Sequence, residues 1–182
     1  MPEIPSAAPA DLLARWQAAD AAWRARDVHY GVATPRQIAG KSGLEIFLAM
    51  IAGELPSAPI MQTLDFMLVE AEPGRVVFQG KPGHAHYNPM GTVHGGWYAT
   101  LLDSALGCAV QSLLPAGKAY TTAELKVNIV RPLSDKLPFV RAESRIIHTG
   151  SRMATADARL TGSDGKLYAH GSTTCFIFDN AP

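Results

Sequence analysis

The sequence predicts an α+β domain in which antiparallel strands wrap one central helix. Two observations predict it. Residues 95–114 carry apolar or small side chains on nearly every face, as expected of a helix enclosed by the rest of its fold. Residues 119–131 alternate apolar and polar positions, as expected of a strand with one dry and one wet face.

The N-terminal part reads as an extension. Residues 1–10 hold three prolines and are expected to be disordered. Asp11 to about Arg26 reads as a helix with Leu12, Leu13, Trp16, Ala19 and Trp23 on one stripe. The ordinary expectation is that this helix packs on the body of the protein; a lid over a pocket is the sharper one. Residues 31–42, with Pro35 and Gly40, read as a linker. The expected organisation is therefore an extension, 1–42, and a main domain, 43–182.

In the main domain, Ser42 and Glu45 form a capping-box pattern for a helix from Gly43 to about Gly53. Leu44, Phe47, Leu48 and Ile51 make its apolar side. Residues 64–71 and 75–81 read as strands around a Glu72-Pro73-Gly74 turn. Residues 88–94 are loop. Leu114-Pro115-Ala116-Gly117 ends the central helix. On 119–131, Ala123, Leu125, Val127 and Ile129 share one face and Thr122, Glu124, Lys126 and Asn128 the other. Thr122 is thus expected to face away from the apolar side. Strands at 137–149, 151–162 and 167–178 complete a meander, with a turn at 161–165.

Composition narrows the function classes. A chain of 182 residues is long enough for one sizeable core. Sixteen basic and sixteen acidic residues balance, which argues against a general nucleic-acid or anionic-membrane surface. Cys108 and Cys175 form no metal-binding spacing and are expected to be reduced core residues. The first residues lack a basic segment followed by an apolar core, and no apolar run approaches ~20 residues. Cytoplasmic location is the resulting expectation.

One charge interrupts the central helix. Asp103 caps nothing, and no Lys or Arg lies three or four residues away. An unpaired carboxylate in an apolar site is costly. Either Asp103 faces solvent or accepts a hydrogen bond from a distant strand, or it is kept for chemistry. Gly96, Ala99 and Gly107 lie on its side and leave room for a ligand. At the helix start, the amides of Gly95 and Gly96 are expected to lack partners and to suit a developing oxyanion. Eight residues separate Gly95 from Asp103, about 12 Å along a helix axis. A group attacking a carbonyl must approach within about 3.5 Å. If both act on one carbonyl, the carboxylate must come from a second copy, which predicts a two-fold dimer with composite sites.

Asn88, His94-Gly95-Gly96, and Asp103 within Leu-Leu-Asp-Ser-Ala-Leu-Gly resemble the signature of hotdog-fold acyl-CoA thioesterases of the phenylacetic-acid-degradation type. Residues 120–128 and Arg131-Pro132 resemble the following strand of that family. The likeness covers roughly residues 43–178. It implies a curved sheet around the central helix and an active site at a dimer interface; whether two dimers pair into a tetramer, as the fold commonly does, is left open. It implies Asp103 as the catalytic carboxylate, acting as base or nucleophile, and the Gly95 amide as oxyanion donor. Asn88 and His94 match positions that assist at the carbonyl, and Thr122 a hydroxyl that positions water. Ile60, Met61 and Phe66 then become candidates for pocket or core.

The substrate implied is acyl-CoA, with no cofactor. Gly96, Met90 and Trp97 are candidate substrate contacts. Arg152, opening a strand after Gly150-Ser151, is the first candidate for the CoA phosphates, with Ser151 beside it and Arg131 and Arg145 behind it. Non-catalytic acyl-CoA binding or sensing is the alternative, and the presence of Asp103 weighs against it. A zinc site at His84, His86 and His94 is a minor alternative. A dehydratase would need an Asp/His pair at the acyl α/β carbons, and none is visible.

Overall fold

In the computed structural model, which describes residues 9–179, a six-stranded antiparallel sheet holds one long helix against its inner face. The strands are β1 (Phe66–Glu72), β2 (Arg75–Gly80), β3 (Lys118–Ile129), β4 (Val140–Thr149), β5 (Met153–Gly162) and β6 (Leu167–Asp179). Their order is β1-β2-β4-β5-β6-β3. The last three strands form the expected meander. β3 crosses to the far edge, where its only strand partner among the described residues is β6.

The helices are α1 (Pro9–Arg24), α2 (Pro35–Ile38), α3 (Gly43–Ala52), α4 (Pro59–Thr63) and α5 (Gly95–Gln111). α5 is the predicted central helix, and it contacts all six strands. Leu101, Leu102, Ala105, Leu106 and Ala109 are fully buried. Each buried leucine contributes about 1.5–3 kcal/mol relative to exposure. Ala154, Ala156 and Ala158 of β5 face them and let the helix lie close to the sheet. The capping box at Ser42 is present: its hydroxyl accepts from the Glu45 amide and the Glu45 carboxylate accepts from the Ser42 amide at 2.7 Å. Gly53 closes α3 with φ +82°.

Two expectations need correction, and one element carries no expectation. Pro9 and Ala10 are helical rather than disordered, because Pro is well suited to a first helical turn; residues 1–8 lie outside the described residues. The 31–42 linker contains α2, started by Thr34 and Pro35. α4 is a short helix that only the Pro59 start could have signalled.

α1 lies on the outer face of the sheet, away from α5. Trp16 is buried there, with the Arg141 guanidinium 5.0 Å from its ring centre and the Gln79 amide donating to its carbonyl at 2.9 Å. Arg24 pairs with Asp20 and with Asp65 before β1. The helix packs on the body of the domain, as the ordinary expectation had it.

The facing of β3 is the most consequential correction. Thr122 pairs with Cys175 and Glu124 with Thr174, so Ala123 is an extra, bulged residue. The bulge shifts the alternation by one. Thr122 therefore shares the inner side with Tyr120, Leu125 and Val127, and faces α5.

Candidate active site

The loop before α5 is fixed by its own polar groups. The Asn88 carbonyl oxygen Oδ1 accepts from the amides of Met90 (2.9 Å) and Thr92 (3.3 Å), and its Nδ2 donates to the Thr92 hydroxyl at 3.0 Å. One Nδ2 hydrogen is left for another acceptor. Met90 stands out into solvent at 85% exposure.

His94 is the N-cap of α5. Its Nδ1 accepts from the Gly96 amide at 2.9 Å. The Gly96 amide is therefore engaged, against the expectation that both glycine amides are open. With Nδ1 accepting, Nε2 is the nitrogen left to donate, on a side chain that is exposed. The Gly95 amide has no hydrogen-bond partner among the described residues and sits at the positive end of the helix. A side chain at Gly95 would meet Ile129 Cδ1 at 3.2 Å, so the end of β3 closes over this turn.

Two turns further along α5, Asp103 is half-buried and accepts from the Thr122 hydroxyl at 3.2 Å. Both this bond and an open approach to the carboxylate are present. Asp103 lines a cleft of about 270 Å³ together with Ser104 and Cys108 of α5 and Tyr120 of β3. The rest of the lining comes from α3, α4, β1 and β2, and includes the anticipated Ile60, Met61 and Phe66. No α1 residue contributes, so within one subunit α1 is no lid on this cleft. Burial, and secondarily the Asp103 charge, pushes the Cys108 thiol up to about 12. Burial likewise pushes the Tyr120 phenol well above its ordinary range.

The other candidates separate. Trp97 is a core residue, against its expected place among the substrate contacts: it is 3% exposed, its Nε1 donates to the Leu64 carbonyl at 2.9 Å, and its ring stacks on His86. The apolar faces of α5 left its direction ambiguous. Arg131 donates to the Leu167 carbonyl at 2.7 Å and lies over Tyr168, and so ties the β3 end to β6. Arg145 pairs with Glu143 at 2.8 Å. Ser151 and Arg152 are exposed on the β4–β5 turn, and Arg152 makes no ion pair among the described residues. The Arg152 carbonyl accepts from Ile177, which pairs with Tyr120. Gly95 abuts Ile129, nine residues further along β3, roughly 30 Å at 3.3 Å per residue. Within one subunit Arg152 and Gly95 thus lie at opposite ends of the sheet.

No group of three His, Cys, Asp or Glu residues is placed to hold a metal among the described residues. His86 Nδ1 accepts from the Gly83 amide and His94 Nδ1 caps α5, so both nitrogens are already committed. Ser104 carries no expectation from the sequence and Cys108 is read there as a core residue; their i, i+4 spacing beside Asp103 is the signal that places both on the cleft.

The thioesterase superfamily model matches residues 90–169, which span the loop, α5 and most of the sheet. Acyl-coenzyme A thioesterase 13 of Homo sapiens is 31% identical over 109 residues, covering 59% of this chain and 76% of that protein. The chain belongs to the thioesterase superfamily. Among solved structures, this thioesterase is similar to a thioesterase family protein from Silicibacter pomeroyi, at 26% identity and TM-score 0.65, covering 73% of this chain and 98% of that one. It is also similar to a variant of the phenylacetic acid degradation protein PaaI from Thermus thermophilus, at 28% identity and TM-score 0.60, covering 65% and 97%. The sheet and central helix of this thioesterase are the hotdog fold. None of its described helices is long and apolar enough to cross a membrane.

Proposed function

We propose that the protein hydrolyses acyl-CoA thioesters at sites shared between two copies of the chain, in the cytoplasm. The observation that carries this is the placement of an unpartnered Gly95 amide and an accessible Asp103 carboxylate at two levels of one helix. Their separation, about 12 Å by helical rise, prevents both from reaching one carbonyl. A two-fold arrangement brings the amide of one subunit to the carboxylate of the other. The open edge of β3 favours self-association, because an unpaired strand edge offers a row of backbone donors and acceptors. Pairing of two dimers remains compatible with this arrangement.

The thioester oxygen rests on the Gly95 amide, aided by the free Nδ2 hydrogen of Asn88 and by the outward Nε2–H of His94. Asp103 of the partner subunit removes a proton from water as the water oxygen bonds to the carbonyl carbon. The tetrahedral intermediate then breaks its C–S bond, and the proton passes to the departing CoA sulfur. Attack by Asp103 itself would give an anhydride that water cleaves to the same products. Thr122 holds the carboxylate in place, and Arg152 binds phosphate oxygens of CoA.

Release of free thiol from a panel of acyl-CoAs tests the proposal, with the native protein beside Asp103→Asn. Turnover by the native protein and its loss in the variant are expected. Binding without turnover in both proteins would favour the alternative, an acyl-CoA sensor.

A further inference from the structure

The cleft beside Asp103 is walled largely by apolar side chains. Its walls are Phe47 and Met50 of α3, Ile60 of α4, and Phe66 and Phe78 of the sheet. All of these precede residue 90, outside the stretch that the superfamily model matches. The superfamily model covers the carboxylate end of the cleft and begins after the residues that form its apolar walls.

Size sets the occupant. The cleft measures about 270 Å³. An apolar cavity of about 150 Å³ holds a benzene ring, so this one has room for roughly ten carbons. Cys108 lies five residues past Asp103 on α5, about 7 Å deeper along the axis. Gly107 allows the Tyr120 ring to cross the helix at this level, where a Cβ would come within 2.7 Å of Tyr120 Cζ. Cys108 and Tyr120 line the cleft beyond Asp103 along α5, and theirs is the deep end in the sense of lying farther from the carboxylate. The Cys108 thiol stays protonated at neutral pH and serves as volume rather than as a nucleophile.

We infer that this cleft is the acyl pocket, that the subunit donating Asp103 also holds the acyl group, and that Cys108 limits its length to an apolar acyl group of about eight to ten carbons, straight or phenyl-bearing. The inference rests on the thioesterase reading above. In the composite site, the subunit that supplies the oxyanion donor then contacts only the carbonyl and the CoA side of the substrate. Chain-length preference and carbonyl activation reside in different subunits.

The test uses the full chain and acyl-CoAs from butanoyl to hexadecanoyl, with a phenyl-bearing acyl-CoA as a separate arm. The native kcat/KM is expected to peak at octanoyl or decanoyl. Cys108→Leu fills the deep end and should lower the decanoyl-to-butanoyl kcat/KM ratio by at least about ten-fold, the scale of one or two methylenes in a hydrophobic pocket. Met50→Trp, which narrows the opposite wall, should move the ratio the same way and serves if the first variant does not fold. A native profile that is flat with chain length, or ratios unchanged in the folded variants, would overturn the pocket assignment while leaving hydrolysis intact. Absence of hydrolysis of every acyl-CoA would instead overturn the thioesterase reading.

Discussion

The Thr122 hydroxyl donates to the Asp103 carboxylate across the gap between β3 and α5, at 3.2 Å. The contact exists because Ala123 is bulged; regular alternation would turn Thr122 outward. It engages Oδ1 and leaves Oδ2 without a hydrogen-bond partner among the described residues, on a residue that lines the cleft. Asp103→Asn is expected to lower kcat by at least ~100-fold, as loss of general-base help does. Thr122→Ala should cost a smaller factor, on the order of ten-fold in kcat with little change in KM, and Thr122→Ser should restore it. Steady-state kinetics on the four proteins measure this directly.

His94 has two roles to separate. As N-cap it satisfies the Gly96 amide, and loss of such a cap costs about 1 kcal/mol. His94→Asn keeps a capping acceptor but removes the outward ring. Denaturant unfolding should show His94→Ala destabilised by about 1 kcal/mol and His94→Asn nearly unchanged. Activity lost in both would identify the Nε2–H as a participant at the carbonyl.

The fold was legible in the sequence where a pattern was local. The all-apolar run of α5, the Ser42–Glu45 box and the Glu72-Pro73-Gly74 turn each reflect contacts within a few residues, and each element forms near its expected position. The crossing of β3 to the far edge was not legible, because strand order depends on partners distant in sequence. The facing of Thr122 was misread for a related reason: nothing in Thr-Thr-Ala-Glu-Leu marks the bulge. Among candidate site residues, Asp103 and Gly95 stand out through spacing and the family motif, and Thr122 through the motif alone. Trp97 did not sort into core or site, since a helix buried all round offers no outward face by which to choose.

His86 supplies a pH dependence of stability. Burial against Trp97 lowers its pKa, only partly opposed by Asp65, and its Nδ1 accepts from Gly83. The folded state therefore prefers the neutral ring, and the unfolded chain binds the proton more readily. Stability from this source is complete above the unfolded value, about 6.5, and declines as pH falls below it. Urea midpoints between pH 8 and pH 5 should drop toward acid, and more steeply in the native protein than in His86→Gln.

Both thiols are pushed toward the protonated form, Cys108 to about 12 by burial and by the Asp103 charge, Cys175 upward by burial. Thiolate is the reactive form. A disulfide reagent at pH 8 should label neither residue in the native protein and both after denaturation. Rapid labelling in the folded protein that peptide mapping assigns to Cys108 would show that reagent reaches this thiol through the cleft on the timescale of the assay.

Subunit mixing addresses the shared site most directly. Gly95 is the first residue of α5, where proline is well tolerated, and His94 already has the extended conformation, ψ 139°, that suits a residue before proline. Gly95→Pro therefore removes the oxyanion N–H and keeps the helix start, provided that the end of the Ile129 side chain, 3.2 Å from an added Cβ, shifts by a few tenths of an ångström. Gly95→Pro and Asp103→Asn should each be inactive alone. In a mixed dimer, one site combines the Gly95 amide of one chain with the Asp103 carboxylate of the other. Dissociating and reassociating an equal mixture should restore about a quarter of native activity, since half the dimers are mixed and each has one intact site. Mixed dimers that form yet show no activity above the parents would contradict the shared site.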